Sequence, residues 1–172
     1  MLVVRDASET DLGAILTIYN HAIETTTAVF SYAPHTMAMR QEWFADKCAK
    51  GYPVLVADRN GAVVGFATYG PFRAWPAYRY SVEHSVYVAE GVRRQGIARR
   101  LMEHLLDRAR AQDFHVVIGG IVSENAASLE LHAGLGFEKV AHFRQVGYKF
   151  GRWLDLTFMQ VVLDTPREPR EG

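Results

Sequence analysis

The sequence predicts an α/β domain built on a mixed sheet. Three features carry that reading. Strand-type and helix-type apolar patterns alternate along most of the chain. The dipeptide Asn60-Gly61 sits between two β-rich runs. A strand, a Gly- and Arg-rich turn and an amphipathic helix follow one another without interruption between residues 80 and 112.

The elements follow in order. Leu2 to Arg5 is a short β-branched run. Ser8 and Thr10 can cap a helix whose apolar face is Leu12, Ile15, Leu16, Tyr19, Ala22 and Ile23. A second helix runs from a Thr36 cap through Met39, Trp43 and Phe44 toward Gly51. Val54 to Ala57 and Val63 to Tyr69 flank Asn60-Gly61 as a hairpin. Tyr80 to Val88 is the fourth strand, and Ile97, Leu101, Leu105 and Ala109 mark a helix ending near Gln112. Val116 to Val122 reads as a buried strand, Asn125 to Leu135 as a helix, and Phe137 to Phe143 and Trp153 to Leu163 as closing strands. Residues 1–163 form a single domain on this reading, and 164–172, rich in Pro, Arg and Glu, form a frayed tail.

Composition narrows the class further. The chain has 172 residues, and its 19 Lys plus Arg balance its 19 Asp plus Glu, so it lacks the basic excess of a nucleic-acid or anionic-membrane partner. The lone Cys48 forms no intramolecular disulfide and anchors no multi-thiolate metal site, so no metal is expected; on its helix it reads as a core thiol. No run of eighteen apolar residues and no leader-type N-terminus occurs, which points to a cytoplasmic protein.

Two segments carry chemistry. In Val86-Tyr87-Val88-Ala89-Glu90-Gly91-Val92-Arg93-Arg94-Gln95-Gly96-Ile97-Ala98 a glycine lies between basic residues and a helix start. Free amides at a helix N-terminus suit a pyrophosphate, and Gly96 admits it without a side chain in the way. From this turn alone, a phosphate cradle and an ordinary solvated strand-to-helix turn fit equally. The second segment is Asn125-Ala126-Ala127-Ser128-Leu129-Glu130-Leu131-His132-Ala133-Gly134-Leu135-Gly136-Phe137.

Together, R-x-x-G-x-A followed about thirty residues later by N-x-x-S-x-x-x-H-x-x-x-G-F resembles the GNAT superfamily of acyl-CoA-dependent N-acetyltransferases. Residues 19–30, 70–74, 82–88 and 147–149 are similar to its phosphinothricin and methionine sulfoximine N-acetyltransferase branch. The resemblance implies the GNAT (acyl-CoA N-acyltransferase) fold, a mixed twisted sheet flanked by helices and splayed between the fourth and fifth strands. It also implies acetyl-CoA as co-substrate. Val86, Tyr87 and Val88 would line its pantetheine arm by strand-like bonding, the amides from Arg94 through Gln95, Gly96, Ile97 and Ala98 to Arg99 would hold the pyrophosphate with Arg93 or Arg94 outside it, and Asn125 would reach the pantetheine or thioester.

The same resemblance makes Glu83 the catalytic base; a strand glutamate otherwise lies on a solvent face. His132 stands where many relatives carry an acidic tyrosine, and reads either as an acid–base group or as a helix histidine packed on the core. The substrate set it implies is Phe30, Arg73, Ala74, Trp75, Val82, Glu83 and His84, with Arg73 for an acidic group and Phe30, Phe72, Trp75 and Tyr78 as walls. A regular strand turns His84 to the face opposite Glu83. Trp75 replaces a basic residue expected in strict phosphinothricin enzymes, which favours methionine sulfoximine or methionine sulfone. The branch implies a homodimer, with Tyr148 and Lys149 completing the pocket from a second subunit; the other and favoured reading of Lys149 is a solvated surface lysine. The expected function is acetylation of the α-amine of a small amino-acid analogue. The alternatives are another amine, such as a protein N-terminus or an aminoglycoside, or a non-catalytic acyl-CoA sensor.

Overall fold

The computed structural model describes residues 1–171. The elements are β1 (Leu2–Asp6), α1 (Leu12–Thr25), α2 (Met37–Ala49), β2 (Val54–Arg59), β3 (Ala62–Pro71), β4 (Ser81–Val88), α3 (Ile97–Ala111), β5 (Val116–Val122), α4 (Ala126–Ala133), β6 (Glu138–Lys149) and β7 (Arg152–Val162). The strands form one mixed sheet in the order β1-β2-β3-β4-β5-β7-β6. The chain folds as two compact units, Met1–Tyr69 with Ser85–Leu105, and Gly70–His84 with Leu106–Gly172.

In the first unit β1, β2 and β3 are antiparallel neighbours. The β2–β3 hairpin turns on Asn60 (φ 53°) and Gly61 (φ 87°), the left-handed pair that matches strand twist, and Asp58 Oδ1 accepts the Gly61 amide at 2.7 Å. A box of Ser8 and Asp11 opens the helical segment, and α1 buries Leu12, Ile15 and Ile18 against Val54, Val56 and Phe66. Burying a side chain such as Ile15 contributes about 1.5–3 kcal/mol. Thr36 caps α2 by accepting the Met39 amide at 3.2 Å. The one fully buried residue of α2 is Arg40, whose guanidinium lies 4.2 Å from the Tyr19 ring centre and 4.5 Å from that of Trp43. Cys48 lies on the exposed side of α2, so it is no core thiol: one small apolar patch on this helix is filled by half-buried Trp43 and Phe44 instead.

In the second unit β4 and β5 run parallel, with the register Ser81↔Val116, Val82↔Val117 and Glu83↔Ile118. That register stops at Glu83 although β4 continues to Val88, which is the expected splay between the fourth and fifth strands. β5, β7 and β6 complete the sheet in antiparallel pairing. β6 runs on to Lys149, beyond the Phe143 that periodicity indicated, while β7 keeps its expected length and begins one residue earlier, at Arg152. They meet in a two-residue turn of Phe150 (φ 50°) and Gly151 (φ 73°), and a phenylalanine in that conformation leaves no turn signal in a sequence. The register slips between Phe143 and Gly147, where Gln145 (φ 54°) donates its amide to Asp155 Oδ1 at 2.8 Å. Lys149 is 5% exposed rather than solvated, with Nζ 4.9 Å from the Phe150 ring centre. Residues 164–171 hold no helix or strand but are tied down. His115 Nδ1 donates to the Thr165 carbonyl at 2.7 Å, and the Arg170 amide donates to the Tyr80 hydroxyl at 2.9 Å. Among the described residues no helix is long and apolar enough to cross a membrane.

Candidate active site

The site begins with two glycines. β5 carries Gly119-Gly120 in the middle of an apolar run, beside the end of the β4–β5 register. Successive strand residues face opposite sides of a sheet, so the pair clears one place on each face. A Cβ on Gly119 would lie 2.6 Å from His84 Nε2 and 3.4 Å from His132 Nε2. A Cβ on Gly120 would lie 3.3 Å from Glu83 Oε1 and 3.4 Å from Phe158 Cε1. His84 and Glu83 therefore occupy opposite faces, as regular alternation predicts.

On the Glu83 face the carboxylate is half-buried, and burial raises its pKa above the usual carboxylate range while nearby Arg73 pulls it back. A raised pKa brings the group toward the range where a base both ionises at neutral pH and takes up a proton. The Arg73 guanidinium lies 4.6 Å from the Phe72 ring centre, and Phe72 meets Tyr78 at 5.7 Å and Phe158 at 6.3 Å. Glu83, Arg73, Phe72 and Tyr78 thus share a neighbourhood walled by Phe158. Trp75 stands apart from that wall at 75% exposed, Ala74 beside it is exposed, and Val82 is wholly buried. Phe30 is exposed on the first unit.

On the other face His84 and His132 stack with ring centres 4.9 Å apart, both edge-on to Phe137. Their Nε2 atoms are 2.9 Å apart, and His132 Nδ1 is 2.7 Å from the Ser128 carbonyl. Burial lowers both pKa values, that of His84 to about 3 with help from His132, so the pair is neutral near pH 7. Both nitrogens of His132 are thereby engaged, whereas sequence reading left it as either an acid–base group or a packing residue. Asn125 caps α4, its Oδ1 accepting the Ser128 amide at 3.1 Å, which leaves its NH₂ to donate to a ligand carbonyl.

In the first unit, the turn into α3 carries Arg94 at φ 61° and Gly96 at φ 75°. A non-glycine residue there is strained, and such strain gathers at ligand sites. The first intrahelical bond of α3 runs from the Arg100 amide to the Gly96 carbonyl at 3.1 Å, so the Ile97 and Ala98 amides point out of the helix end, and nothing lies within 4 Å of a Cβ placed on Gly96. Ile97 is buried as the anchor; Arg93, Arg94, Gln95 and Arg99 are exposed around the turn. Arg93 Nε reaches the Val88 carbonyl at 3.5 Å. Val86, Tyr87 and Val88 are half-buried, and the Tyr87 ring packs on Phe66 at 5.2 Å and Tyr19 at 5.4 Å. The parts missed in sequence are Gly119 and Gly120; a glycine pair inside an apolar strand was the available signal.

A splayed β4, an amide-lined helix entry after it and a half-buried strand carboxylate are the marks of an acyl-CoA acyltransferase. The profile described as the acetyltransferase (GNAT) domain matches residues 4–158, and the chain belongs to this family of acetyltransferases. It is 50% identical over 165 residues to a methionine sulfoximine/methionine sulfone acetyltransferase of Pseudomonas aeruginosa, covering 95% of this chain and 96% of that protein. It is 39% identical to a phosphinothricin N-acetyltransferase of Streptomyces viridochromogenes over 97% of this chain and 91% of that one. Among solved structures, an acetyltransferase of Salmonella typhimurium with acetyl-CoA superposes with a TM-score of 0.96 at 44% identity, covering 99% of each chain.

Proposed function

We propose that this acetyltransferase uses acetyl-CoA to acetylate the α-amine of a small amino-acid analogue of the methionine sulfoximine, methionine sulfone or phosphinothricin type. The observation that carries the reading is Glu83: a half-buried carboxylate with a raised pKa, at the last β4–β5 pair and beside a guanidinium. Glu83 takes a proton from the substrate ammonium, directly or through water, and the freed amine attacks the thioester. Arg73 holds the substrate's acidic group, with Ala74, Trp75, Val82, His84 and Phe30 completing the substrate set. Val86, Tyr87 and Val88 offer main-chain bonds to the pantetheine arm, the turn from Arg93 to Arg99 takes the pyrophosphate, and Asn125 donates to a pantetheine carbonyl.

Trp75, in place of a basic residue, supports the sulfoximine and sulfone over the more anionic phosphinothricin. Residues 1–163 act as one catalytic domain in the cytoplasm. The working form is a homodimer, supported by the edge position of β6 and the exposed Phe143, Val146 and Tyr148 along it. The test is release of coenzyme A thiol from acetyl-CoA with methionine sulfoximine, methionine sulfone, phosphinothricin, common amino acids and an aminoglycoside. Fast release with the sulfoximine and sulfone and slow release with phosphinothricin is expected, with Glu83→Gln lowering kcat by about 10²–10⁴-fold. Binding of acetyl-CoA without release for any amine overturns the catalytic reading in favour of a sensor.

A further inference from the structure

A second polar cluster lies in the Glu83-bearing unit, on the opposite face of its sheet. On β6 and β7, His142 pairs with Thr157, and the residues that follow them, Phe143 and Phe158, pack together at 5.6 Å on the face where Phe158 walls Glu83. Alternation turns His142 and Thr157 the other way. Ser123, in the turn after β5, meets both: its Oγ is 2.8 Å from Thr157 Oγ1 and 3.3 Å from His142 Nδ1. His142 Nε2 is 3.2 Å from Asp155 Oδ2, and Asp155 Oδ1 accepts the Gln145 amide at 2.8 Å. The partners set the direction of each hydrogen. An ionised carboxylate only accepts, so His142 Nε2 donates to Asp155; Nδ1 of the neutral ring is then a lone pair, Ser123 donates to it, and Thr157 donates to Ser123. A hydroxyl, a base and an orienting carboxylate thus stand in hydrogen-bond sequence, with the hydroxyl–base contact at the loose end found in unliganded sites.

Three observations set this cluster apart from a plain strand crosslink. The His142 and Asp155 side chains are 50% and 38% exposed, so the base is open to a reactant from solvent. Gln145 holds φ 54°, and such strain gathers at functional sites; here it aims an amide at Asp155. Of the amides from Ser123 to Ser128, those of Glu124 and Ala127 form no hydrogen bond among the described residues, while the Glu124 carboxylate is turned to Arg152, whose Nη1 donates at 2.7 Å. The amide after a nucleophilic serine is a common oxyanion donor.

We propose that Ser123, His142 and Asp155 form a second acyl-transfer site, which hydrolyses small activated carboxylic esters through an acyl-serine. Ser123 Oγ bonds to the ester carbonyl carbon as its hydrogen passes to His142 Nδ1, with Asp155 holding the ring and the Glu124 amide taking the developing oxyanion. The carbon–oxygen bond to the alcohol then breaks, and the alcohol leaves with that hydrogen. Water next adds to the acyl-serine and gives one proton to His142 Nδ1. Ser123 leaves with that proton, and the products are a carboxylic acid and an alcohol. A base this exposed has little surface around it to hold a long chain, so the acyl group is short.

The test is p-nitrophenyl acetate with the full chain and no acetyl-CoA, so its outcome is independent of acetyl transfer to an amine. Nitrophenolate release is followed by absorbance, and the acetyl adduct is mapped by tandem mass spectrometry after an acid quench. An adduct on Ser123 is expected. Ser123→Ala loses that adduct, and His142→Gln slows its formation by about 10²-fold, while thermal melts confirm that both variants are folded. Ser123→Cys, which keeps a nucleophile of similar size, retains an adduct at the same position. Acetylation confined to other residues overturns the proposal, as does nitrophenolate release by Ser123→Ala at the wild-type rate. Formation of the Ser123 adduct at the wild-type rate in His142→Gln removes the base from the chemistry and overturns it as well.

Discussion

Gly119→Ala probes the clearance on which the imidazole pair depends. The added methyl would lie 2.6 Å from His84 Nε2, where ordinary contact starts at 3.4 Å, so the ring must move by most of an ångström. It cannot swing freely, because it bonds to His132 Nε2 at 2.9 Å and packs edge-on against Phe137 at 5.7 Å. Overpacking of this kind costs about 1–3 kcal/mol, and a broken buried hydrogen bond adds about 1 kcal/mol. Against this, alanine in a strand gains about 0.5–1 kcal/mol over glycine, since the φ of Gly119 is not left-handed. The net expectation is a loss of about 1–3 kcal/mol, a fall in Tm of about 3–10 °C for a chain of this size. Gly120→Ala is the control: its nearest contacts are 3.3 Å to Glu83 Oε1 and 3.4 Å to Phe158, so its Tm should change by under about 2 °C while Glu83 is crowded and kcat falls. Thermal melts of both variants, with thiol release in parallel, make the comparison. Equal melting temperatures for Gly119→Ala and wild type would refute the packing argument.

Three further outcomes are expected. Gly65→Ala places a methyl 2.9 Å from the Tyr87 carbonyl and 3.2 Å from Leu101 Cδ1; the backbone cannot rotate away, so about 1–3 kcal/mol is lost and KM for acetyl-CoA rises. An unchanged melt and KM would count against β3 setting the position of β4 there. Arg94→Gly relieves a left-handed arginine, for a gain of about 1 kcal/mol, while KM for acetyl-CoA rises about tenfold through the lost guanidinium; melts and initial rates on one preparation separate the two effects. Asp11 accepts two bonds from Arg5 at 2.8 and 2.9 Å, which hold its pKa down to about 2 from 3.8. A depressed pKa gives stability above the usual carboxylate range that is lost as pH falls through about 2. Asp11→Asn should therefore cost about 1–2 kcal/mol at pH 7, allowing for solvent at Arg5, and the gap in urea melts should close between about pH 4 and pH 2.

Much of this protein was legible before any coordinates. Hydrophobic period and turn residues marked every helix and strand, because α1 buries one face at helical spacing, β2 buries the unbroken apolar run Val54 to Ala57 and Asn60-Gly61 has the backbone freedom that its turn requires. The amide turn at Gly96 and the placement of Glu83 and His84 on opposite faces were readable for the same reason: both follow from local backbone geometry. What escaped were features without a local rule. Phe150 turns left-handed because β6 and β7 pair on either side of it, Cys48 faces outward because half-buried rings already fill the apolar side of its helix, and Lys149 is buried by the β6–β7 hairpin. The state of His132 belongs with these. Seven residues of helix place it after Asn125, but its tautomer, its neutrality and its bond to His84 arise from residues 48 positions apart meeting over a glycine. Local pattern set the elements and their faces; long-range packing decided which polar groups meet, what water they lose, and hence how they hold protons.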